Sequence, residues 1–375
     1  MKKIRLGDYC TVSAGGDKPK VFSDIKTSEC SVPVFANGID NEGLVGFTNR
    51  ASIESNSVTL SARGNTGTPF YRTKPYVPII RLISVIPDKE YINCQYLYYL
   101  LKTRNISGTG SVQSQLTVPM VENITVPIIE DLKEQLKIAT YLGNIDKKIS
   151  NNNDISSQLE SLAKTIYDYW FLQFDFPDEN GRPYKSSGGK MVWSDELKRE
   201  IPEGWKAGKL RDLYTIGNGR DHKSLKDGTY PVYGSGGIMR YADQYLYSGE
   251  SVLIPRKGTL NNVMYVNGSF WTVDTMYFTE MKKPHSAIYS YFSTKAHDFE
   301  RLNTGTGVPS MTSSLIYSLN AMVPSQKVLD AFDSHVKPLE DAIKKCGEEN
   351  HALSSLRDFL LPMLMNGQVT FEDNI

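Results

Sequence analysis

Two long stretches of the sequence carry apolar residues in alternating steps of four and three, the spacing of helices that pack on one another over several heptads. The first begins near Asp131, a predicted N-cap with Glu134 three residues later, and the second ends at Asn366-Gly367, a predicted stop. Each stretch predicts a helix of roughly 35–40 residues, about 50–60 Å long. The apolar seams are Ile138, Leu142, Ile145, Ile149, Leu159, Ala163, Ile166 and Trp170 in the first, and Phe332, Val336, Leu339, Ile343, Leu353, Leu360 and Leu364 in the second.

Both seams turn polar at their midpoints, at Asn152 and Ser156 in the first helix and at Cys346 and Asn350 in the second. Parallel and antiparallel pairing would both bring these positions opposite one another. Connectivity favours antiparallel pairing, because the segment between the two halves is long enough to return the chain beside its first helix. The alternative is two unrelated amphipathic helices, each packing on its own domain.

Outside these stretches the pattern is one of short strands broken by glycine and proline turns. One short helix is predicted near Gln95–Lys102 and another near Ser286–Ser293. This alternation indicates a mixed α/β (α+β) fold in each half of the chain.

The two halves repeat one another in order. The repeated segments are Leu6-Gly7-Asp8 with Leu210-Arg211-Asp212, Pro33 to Gly38 with Pro231 to Gly236, Ser57 to Asn65 with Ser251 to Thr259, Gly108-Thr109-Gly110 with Gly305-Thr306-Gly307, and Val126-Pro127 with Val323-Pro324. The spacing drifts slightly, as surface insertions would cause. We therefore predict two similar domains in inverted orientation, joined by an antiparallel coiled coil. The predicted boundaries are 1–130 for the first domain, 131–172 for the central helix, 173–204 for a linker, 205–325 for the second domain and 326–367 for the C-terminal helix.

The basic residues that gather in or beside the loops are candidates for binding nucleic acid, together with neighbouring amides. Arg and Lys can contact guanine O6/N7 or phosphates, and Asn and Gln can pair with adenine edges. The basic–glycine turn is the strongest candidate because it recurs at the same place in both halves. The candidates are Lys18, Lys20, Arg63, Asn65, Gln113 and Gln115 in the first half, and Arg220, Lys223, Arg256, Lys257, Asn261 and Asn262 in the second, with Arg72, Lys74 and Arg240 beside them.

The charge of the whole chain does not by itself indicate nucleic-acid binding, because its 42 Lys and Arg balance its 42 Asp and Glu. A neutral DNA-binding protein must concentrate basic groups locally or share the phosphates with a partner. The four scattered cysteines suit a reducing compartment, and no signal peptide or membrane-spanning stretch is evident, so a cytoplasmic protein without a membrane partner is expected. The five histidines show no metal-ligand spacing, and neither a cofactor-binding glycine loop nor a Walker A motif is found.

Taken together, these segments resemble a type I restriction–modification specificity (S) subunit over nearly the whole chain. The segments that carry the resemblance are Pro33 to Gly38 and Pro231 to Gly236, Arg63-Gly64 and Lys257-Gly258, Gly108 to Leu136 and Gly305 to Leu329, Gly181 to Gly189, and Ile201 to Trp205.

The resemblance implies a non-catalytic subunit whose two target-recognition domains each read half of a bipartite double-stranded DNA sequence. The helices would set the gap between the half-sites and bind methyltransferase (M) subunits, and a restriction (R) subunit would join to cut unmodified DNA. No cofactor is expected in this chain, since S-adenosylmethionine, ATP and Mg would belong to the partners. Two alternatives stay open: a specificity subunit of a type IIB-like methyltransferase–nuclease, and a coiled-coil scaffold with two ligand-binding heads.

Overall fold

The computed structural model describes residues 1–54, 56–106, 115–303, 305 and 307–371. The chain divides into two compact units: unit 1 comprises Met1–Asn153 and Gly347–Ile375, and unit 2 comprises Asp154–Cys346. Two long helices contribute to both units. They are α4 (Leu132–Tyr167), which continues into a π-helical turn at Asp168–Leu172, and α8 (Gln326–Met365).

Unit 1 contains a four-stranded sheet of order β2-β8-β5-β6, a three-stranded sheet of order β4-β3-β7 and an antiparallel pair β1-β9. Its strands are β1 (Lys2–Arg5), β2 (Cys10–Ala14), β3 (Val32–Phe35), β4 (Leu44–Thr48), β5 (Ser57–Leu60), β6 (Pro69–Arg72), β7 (Val77–Pro78), β8 (Ile83–Pro87) and β9 (Thr125–Ile128). Its short helices are α1 (Leu6–Tyr9), a 3-10 turn at Asp40–Gly43, α2 (Cys94–Lys102) and α3 (Val118–Glu122).

Unit 2 contains one six-stranded sheet of order β13-β18-β16-β17-β14-β15, a pair β12-β19 and a hairpin β10-β11. Its strands are β10 (Met191–Ser194), β11 (Arg199–Pro202), β12 (Lys206–Lys209), β13 (Tyr214–Asn218), β14 (Asp227–Gly234), β15 (Gly237–Ala242), β16 (Tyr247–Pro255), β17 (Met264–Thr272), β18 (Met276–Met281) and β19 (Asn320–Val323). Its short helices are α5 (Leu210–Leu213), α6 (Ala287–Lys295) and α7 (Ser313–Ser318).

The two units share one topology, which confirms the predicted duplication. The order β13-β18-β16-β17 repeats β2-β8-β5-β6, and α2 and α6 occupy the two predicted short-helix positions. Each unit also has one parallel strand pair at the same place: Val34 lies opposite Val77, and Val232 lies opposite Trp271. The mixed α/β fold class is therefore confirmed.

One pair of segments that the sequence analysis matched, Val126-Pro127 with Val323-Pro324, does not occupy equivalent positions in the two units. The Leu6 N–H donates to the Ile124 carbonyl, and the Leu210 N–H donates to the Leu319 carbonyl, both at 2.9 Å. Ile124 therefore corresponds to Leu319, and Val126 corresponds to Ala321 rather than to Val323. The two Val-Pro pairs lie two residues apart in register, so their likeness in sequence is a coincidence.

The long helices are antiparallel within each unit. In unit 1, Arg357 of α8 donates to Asp146 of α4 at 2.7 Å, and the buried Asn152 donates to Glu349 and Asn350 at 2.8 and 2.9 Å. The predicted polar midpoints therefore meet, with one helix ascending as the other descends. In unit 2, the Tyr167 ring of α4 lies 6.3 Å from Phe332 of α8, and Glu160, earlier in α4, faces Glu340, later in α8, which is the antiparallel order.

The residues of the predicted apolar seams are buried to different extents. Leu142, Ile145 and Val336 are buried, and Leu142 belongs to the core of unit 1 together with Leu361. The partly buried seam positions are Ile149, Leu159, Ile166, Leu339, Ile343, Leu353 and Leu360. The helices are thus part of each unit's core as well as partners of one another.

The segment 173–204, predicted as a linker, is packed on unit 2. Phe174 and Phe176 are buried, and the Phe176 ring stacks 5.3 Å from Trp205. The Asp175 carboxylate accepts hydrogen bonds from the backbone and the hydroxyl of Ser186 at 2.7 and 2.6 Å. The glycine- and proline-rich composition suggested a free connection, but two phenylalanines anchor it because their burial outweighs the flexibility of the turns. The division of the sequence at 173 and 204 stays a prediction.

Within the described residues, no helix combines the length and the apolar composition needed to cross a membrane.

Candidate nucleic-acid interface

The basic–glycine turn of unit 1 follows strand β5. Gly64 has φ +72°, in the left-handed region that glycine adopts without a steric cost, and Arg63 beside it is exposed. The turn is held at its base by Ala62, whose N–H donates to Asn37 Oδ1 at 2.7 Å and whose carbonyl accepts from Leu116 N at 2.9 Å. The exposed cation therefore projects from a fixed backbone.

The turn of unit 2 follows strand β16 and is held in the same way. Gly258 has φ +90°, and the Arg256 carbonyl accepts from Met311 N at 2.9 Å, as the Ala62 carbonyl does from Leu116. The backbone N–H groups of Arg256 and Lys257 also donate to Thr275 O at 2.8 and 3.2 Å. The same turn, with the same anchoring hydrogen bond, thus occurs once in each unit.

Asn37 gathers several loops of unit 1 at one end of its sheets. Its side-chain amide donates to the Ile80 carbonyl at 2.5 Å, while its Oδ1 accepts from Ala62. The backbone of Arg81 donates to Gly15 O at 3.2 Å, which adds the loop after β2. Arg81 is exposed with φ +65° and is a basic residue of this surface that the sequence analysis missed. Its position before strand β8 offered no motif.

Ser235 occupies the corresponding place in unit 2. Its carbonyl accepts from Asn262 Nδ2 at 2.8 Å, and a Cβ at Gly258 would lie 2.6 Å from its hydroxyl. The Arg220 N–H donates to Thr272 O at 2.9 Å. The loop from Thr272 to Thr275 therefore brings Arg220, Arg256 and Lys257 to one end of the sheet.

Most of the predicted basic candidates are exposed on these loops. Lys18 lies 3.4 Å above the Phe22 ring, and the Arg256 guanidinium lies 5.9 Å from the Tyr277 ring centre. The exposed candidates are Lys18, Lys20, Arg63, Asn65, Arg220, Lys223, Arg256, Lys257 and Asn261. Gln115 is partly buried, whereas Gln113 and the Gly108-Thr109-Gly110 segment lie outside the described residues, as does Thr306.

Asn261 and Asn262 hold loops together. The Asn261 side chain accepts from Phe299 N at 2.8 Å and donates to Asp298 at 3.3 Å, and the Asn262 amide is bonded to Ser235. The guanidinium of Arg240 is likewise bonded to Asp227 and the Leu225 carbonyl. These polar groups are already occupied inside the chain, so they position the loops around the exposed cations.

Arg72 is a buried structural residue, contrary to its grouping with the loop cations. Only 3% of it is exposed, and its guanidinium donates to Thr59 Oγ1, to the Glu42 carbonyl and to the Glu42 carboxylate. It also lies 3.7 Å over the Phe35 ring. Burial lowers the pKa of Arg72 to about 10, against the opposing effect of Glu42. Its position in the sequence indicates only that it lies at the end of a strand, and that position does not distinguish an exposed arginine from a buried one.

A cavity of about 860 Å³ lies within unit 2, between the long helices, α6 and the start of β17. Its wall includes Glu160, Lys295 and Glu340. Burial and the neighbouring Glu160 raise the pKa of Glu340 to about 7. Over the part of the chain that the structure describes, no three or more His, Cys, Asp or Glu side chains are grouped to hold a metal ion.

Comparison with known proteins matches this architecture. The family model described as type I restriction modification DNA specificity domain matches twice, over residues 1–161 and 202–345. The specificity subunit of the MjaIX type I restriction enzyme of Methanocaldococcus jannaschii is 24% identical, with 99% of this chain and 86% of that protein covered. The MjaVIII specificity subunit of the same organism is 20% identical, with 98% and 92% covered.

Among solved structures, the S subunit of a type I restriction–modification system from M. genitalium has a TM-score of 0.69 to this chain at 17% sequence identity. The likeness covers 97% of this chain and 95% of that one. At this identity the likeness establishes a shared fold.

Proposed function

The chain belongs to the family of type I restriction–modification DNA specificity proteins, and from that membership we propose that it reads a bipartite DNA sequence, one half with each unit. The observation that carries this proposal is the exposed basic–glycine turn, which occurs once per unit and is anchored by the same 2.9 Å hydrogen bond. A fixed backbone beneath a long cationic side chain suits recognition of guanine O6/N7 or of phosphates.

The two units are proposed to read different half-sites. Their scaffolds share a topology, but Ala62 in unit 1 stands where unit 2 has Arg256, and Asn37 stands where unit 2 has Ser235. Loop residues on a shared scaffold can change without altering the fold. A different set of side chains on each unit then presents different donors and acceptors to the base edges.

The chain is proposed to act without catalysing a reaction itself. Methylation would take place on methyltransferase (M) subunits that use S-adenosylmethionine, and cleavage would require a restriction (R) subunit that uses ATP and Mg. The relatives are named as the specificity subunits of restriction enzymes. The zero net charge also supports partners that share the contacts to phosphate.

The long helices are proposed to set the gap between the half-sites. Each helix contributes residues to both units, and Asn152 is 1% exposed with its amide bonded to Glu349 and Asn350. A buried asparagine between packed helices favours the one register in which its hydrogen bonds are made. The helices therefore pair in one register, which would fix the distance along them between the two half-sites.

Methylation mapping tests the two-unit proposal. The chain would be produced with the M subunit of its system, and methylated adenines would be mapped across the host genome. We expect one bipartite motif for the wild type. Arg63→Ala should weaken selection at one half-site and Lys257→Ala at the other, each by about 5- to 150-fold at the affected base pair, the range for loss of one good base contact.

Lys2→Ala and Lys206→Ala serve as matched controls, because these exposed lysines lie on the equivalent strands β1 and β12 and not on the basic turns. Both should leave the motif unchanged. A motif with a single part, or loss at the same half-site in both turn variants, would contradict the proposal and favour a scaffold role.

A further inference from the structure

The hairpin β14–β15 of unit 2 has an apolar tip in contact with solvent. A two-residue turn, Ser235-Gly236, joins the strands, and Ile238 and Met239 follow it with 50% and 59% of their surface exposed. Strand β15 is the edge of the six-stranded sheet, so the hairpin has one unpaired side, and its turn lies beyond the last residues of β14 that pair with β17, Val232 and Tyr233. Two adjacent exposed apolar side chains at a ribbon tip are available for contact with another molecule.

This tip is fixed beside the basic turn of unit 2. The Ser235 carbonyl accepts from Asn262, and Gly258 approaches the Ser235 hydroxyl so closely that a Cβ would lie 2.6 Å from it. The neighbouring Tyr233 carbonyl accepts from Val273 N at 3.0 Å, in the loop that also binds the backbone of Arg256. Ile238 and Met239 therefore follow by three and four residues a turn that is held against Gly258, the neighbour of the exposed Lys257.

The hairpin tip and the basic turn of unit 2 form a surface that is both cationic and apolar, and this combination indicates what binds there. A partner must present negative charge to Arg220, Arg256 and Lys257 and an apolar group to Ile238 and Met239. The major groove of B-DNA does both, because it is bordered by phosphates and carries the C5-methyl group of thymine on its floor. It is also about 12 Å wide and admits a two-stranded ribbon.

We propose that the tip of the β14–β15 hairpin enters the major groove of the half-site read by unit 2, and that Ile238 and Met239 contact a thymine methyl group. This inference rests on the proposed function and adds a class of contact, apolar readout of thymine, to the polar contacts of the basic turn. It also makes a thymine a required base of that half-site.

The corresponding hairpin of unit 1 has a different tip. Between β3 and β4 the chain carries Ile39, Asp40, Asn41 and Glu42, all exposed, and the positions equivalent to Ile238 and Met239 hold a half-buried Leu44 and Val45, which is 43% exposed. Carboxylates are repelled by phosphate and can accept from cytosine N4. The apolar readout is therefore proposed for unit 2, whose tip, Ser235 to Gly237, carries no carboxylate.

Replacement of thymine by deoxyuridine tests the proposal, because deoxyuridine lacks only the methyl group. The probe is a duplex with the motif mapped for the wild-type complex, and the half-site of unit 2 is the one weakened by Lys257→Ala. Each thymine of that half-site would be replaced in turn, and the dissociation constant of the complex with M subunit measured. We expect about 4-fold weaker binding at one position, the factor for loss of one buried methyl contact.

The double variant Ile238→Ala/Met239→Ala should bind thymine and deoxyuridine duplexes equally at that position. The conservative variant Ile238→Val/Met239→Leu should keep the preference for thymine over deoxyuridine. It provides a second variant to measure if the alanine variant does not fold. Val45→Ala, at the position of the unit 1 hairpin equivalent to Met239, is the matched control and should keep the full deoxyuridine effect.

Three outcomes would overturn the inference. They are a half-site of unit 2 without thymine on either strand, a wild-type complex that does not distinguish thymine from deoxyuridine, and an alanine variant that distinguishes them as the wild type does. A bipartite wild-type motif would leave the proposed function intact in each case. Absence of that motif would instead reject the proposed function.

Discussion

The same set of paired strands forms one sheet in unit 2 and two sheets in unit 1. Strand β17 runs without interruption from Met264 to Thr272, whereas its counterparts β6 and β7 are separated by residues 73–76, which include Pro75. Proline has no N–H to donate to a neighbouring strand, which favours a break there. The parallel pairing to the next strand survives in both units, so the topology tolerates the break.

The two units also bury different side chains at one position of this strand. Arg72 ends β6 in unit 1 opposite Ser57, and the equivalent register position of unit 2, opposite Ser251, holds Val266. Unit 1 thus buries a guanidinium that is bonded to Thr59 and Glu42, while unit 2 buries an aliphatic side chain. One backbone position therefore accepts either a fully bonded polar group or an apolar one, provided that no donor is left without an acceptor.

The largest effect is expected from Arg72→Ala. This change removes the hydrogen bonds to Thr59 and Glu42 and opens a cavity over Phe35, at a cost of about 3 kcal/mol to unit 1. Hydrogen–deuterium exchange resolved by peptide should show faster exchange in β5 and β6. The matched change Val266→Ala should cost roughly 1–2 kcal/mol and act on unit 2. Unchanged exchange in β5 after Arg72→Ala would contradict the structural role.

A pH-dependent difference between the helix pairs is expected next. In unit 1, Asp146 and Glu349 pair with Arg357 and Lys148 across the helices, whereas Glu340 of unit 2 faces Glu160, with Asp341 and Lys295 nearby. The folded-state pKa of Glu340 is about 7, above its ordinary value of 4.5. The unfolded chain therefore ionises first as pH rises, and unit 2 should lose stability between about pH 4.5 and 7, by at most about 3 kcal/mol.

Glu340→Gln should remove this loss, because glutamine does not ionise. The free energy of unfolding of the wild type and the variant would be measured in denaturant at pH 4.5 and 7.5, with hydrogen–deuterium exchange in α6 as the probe of unit 2. The variant should be the more stable of the two at pH 7.5, and both should behave alike at pH 4.5. Equal pH dependence in the two proteins would show that Glu340 does not titrate in this range.

The smallest expected difference concerns one serine position in the two units. Ser57 Oγ donates to Tyr76, whose hydroxyl also donates to Ser84, so Ser57→Ala leaves Tyr76 with a partner. Ser251 Oγ accepts from Thr279 N at 2.9 Å, and Ser251→Ala leaves that buried N–H without this acceptor. We expect a cost of about 1–2 kcal/mol for Ser251→Ala and less than about 1 kcal/mol for Ser57→Ala. Chemical denaturation measures both, and a larger cost for Ser57→Ala would reverse the comparison.

The sequence was sufficient for the duplication, the two long helices and the place of the basic–glycine turns. A repeat in order and a heptad seam are written in residues that are near one another in the chain, or that recur at a steady offset, so they need no knowledge of long-range contacts. Arg63-Gly64 and Lys257-Gly258 could be found because the glycine conformation and its basic neighbour form a local signal that appears twice.

The tertiary structure confirmed the antiparallel direction that connectivity had favoured, and it alone decided the packing of 173–204 and the roles of individual polar residues. Asn152 opposite Asn350 fits parallel and antiparallel helices equally until Asp146 is seen to meet Arg357. Arg72 and Arg63 are both cations beside a strand end, yet the first is buried against Glu42 and the second is exposed. The reason is physical: burial and hydrogen bonding depend on which distant segments meet, and those meetings follow from the packing of the whole chain.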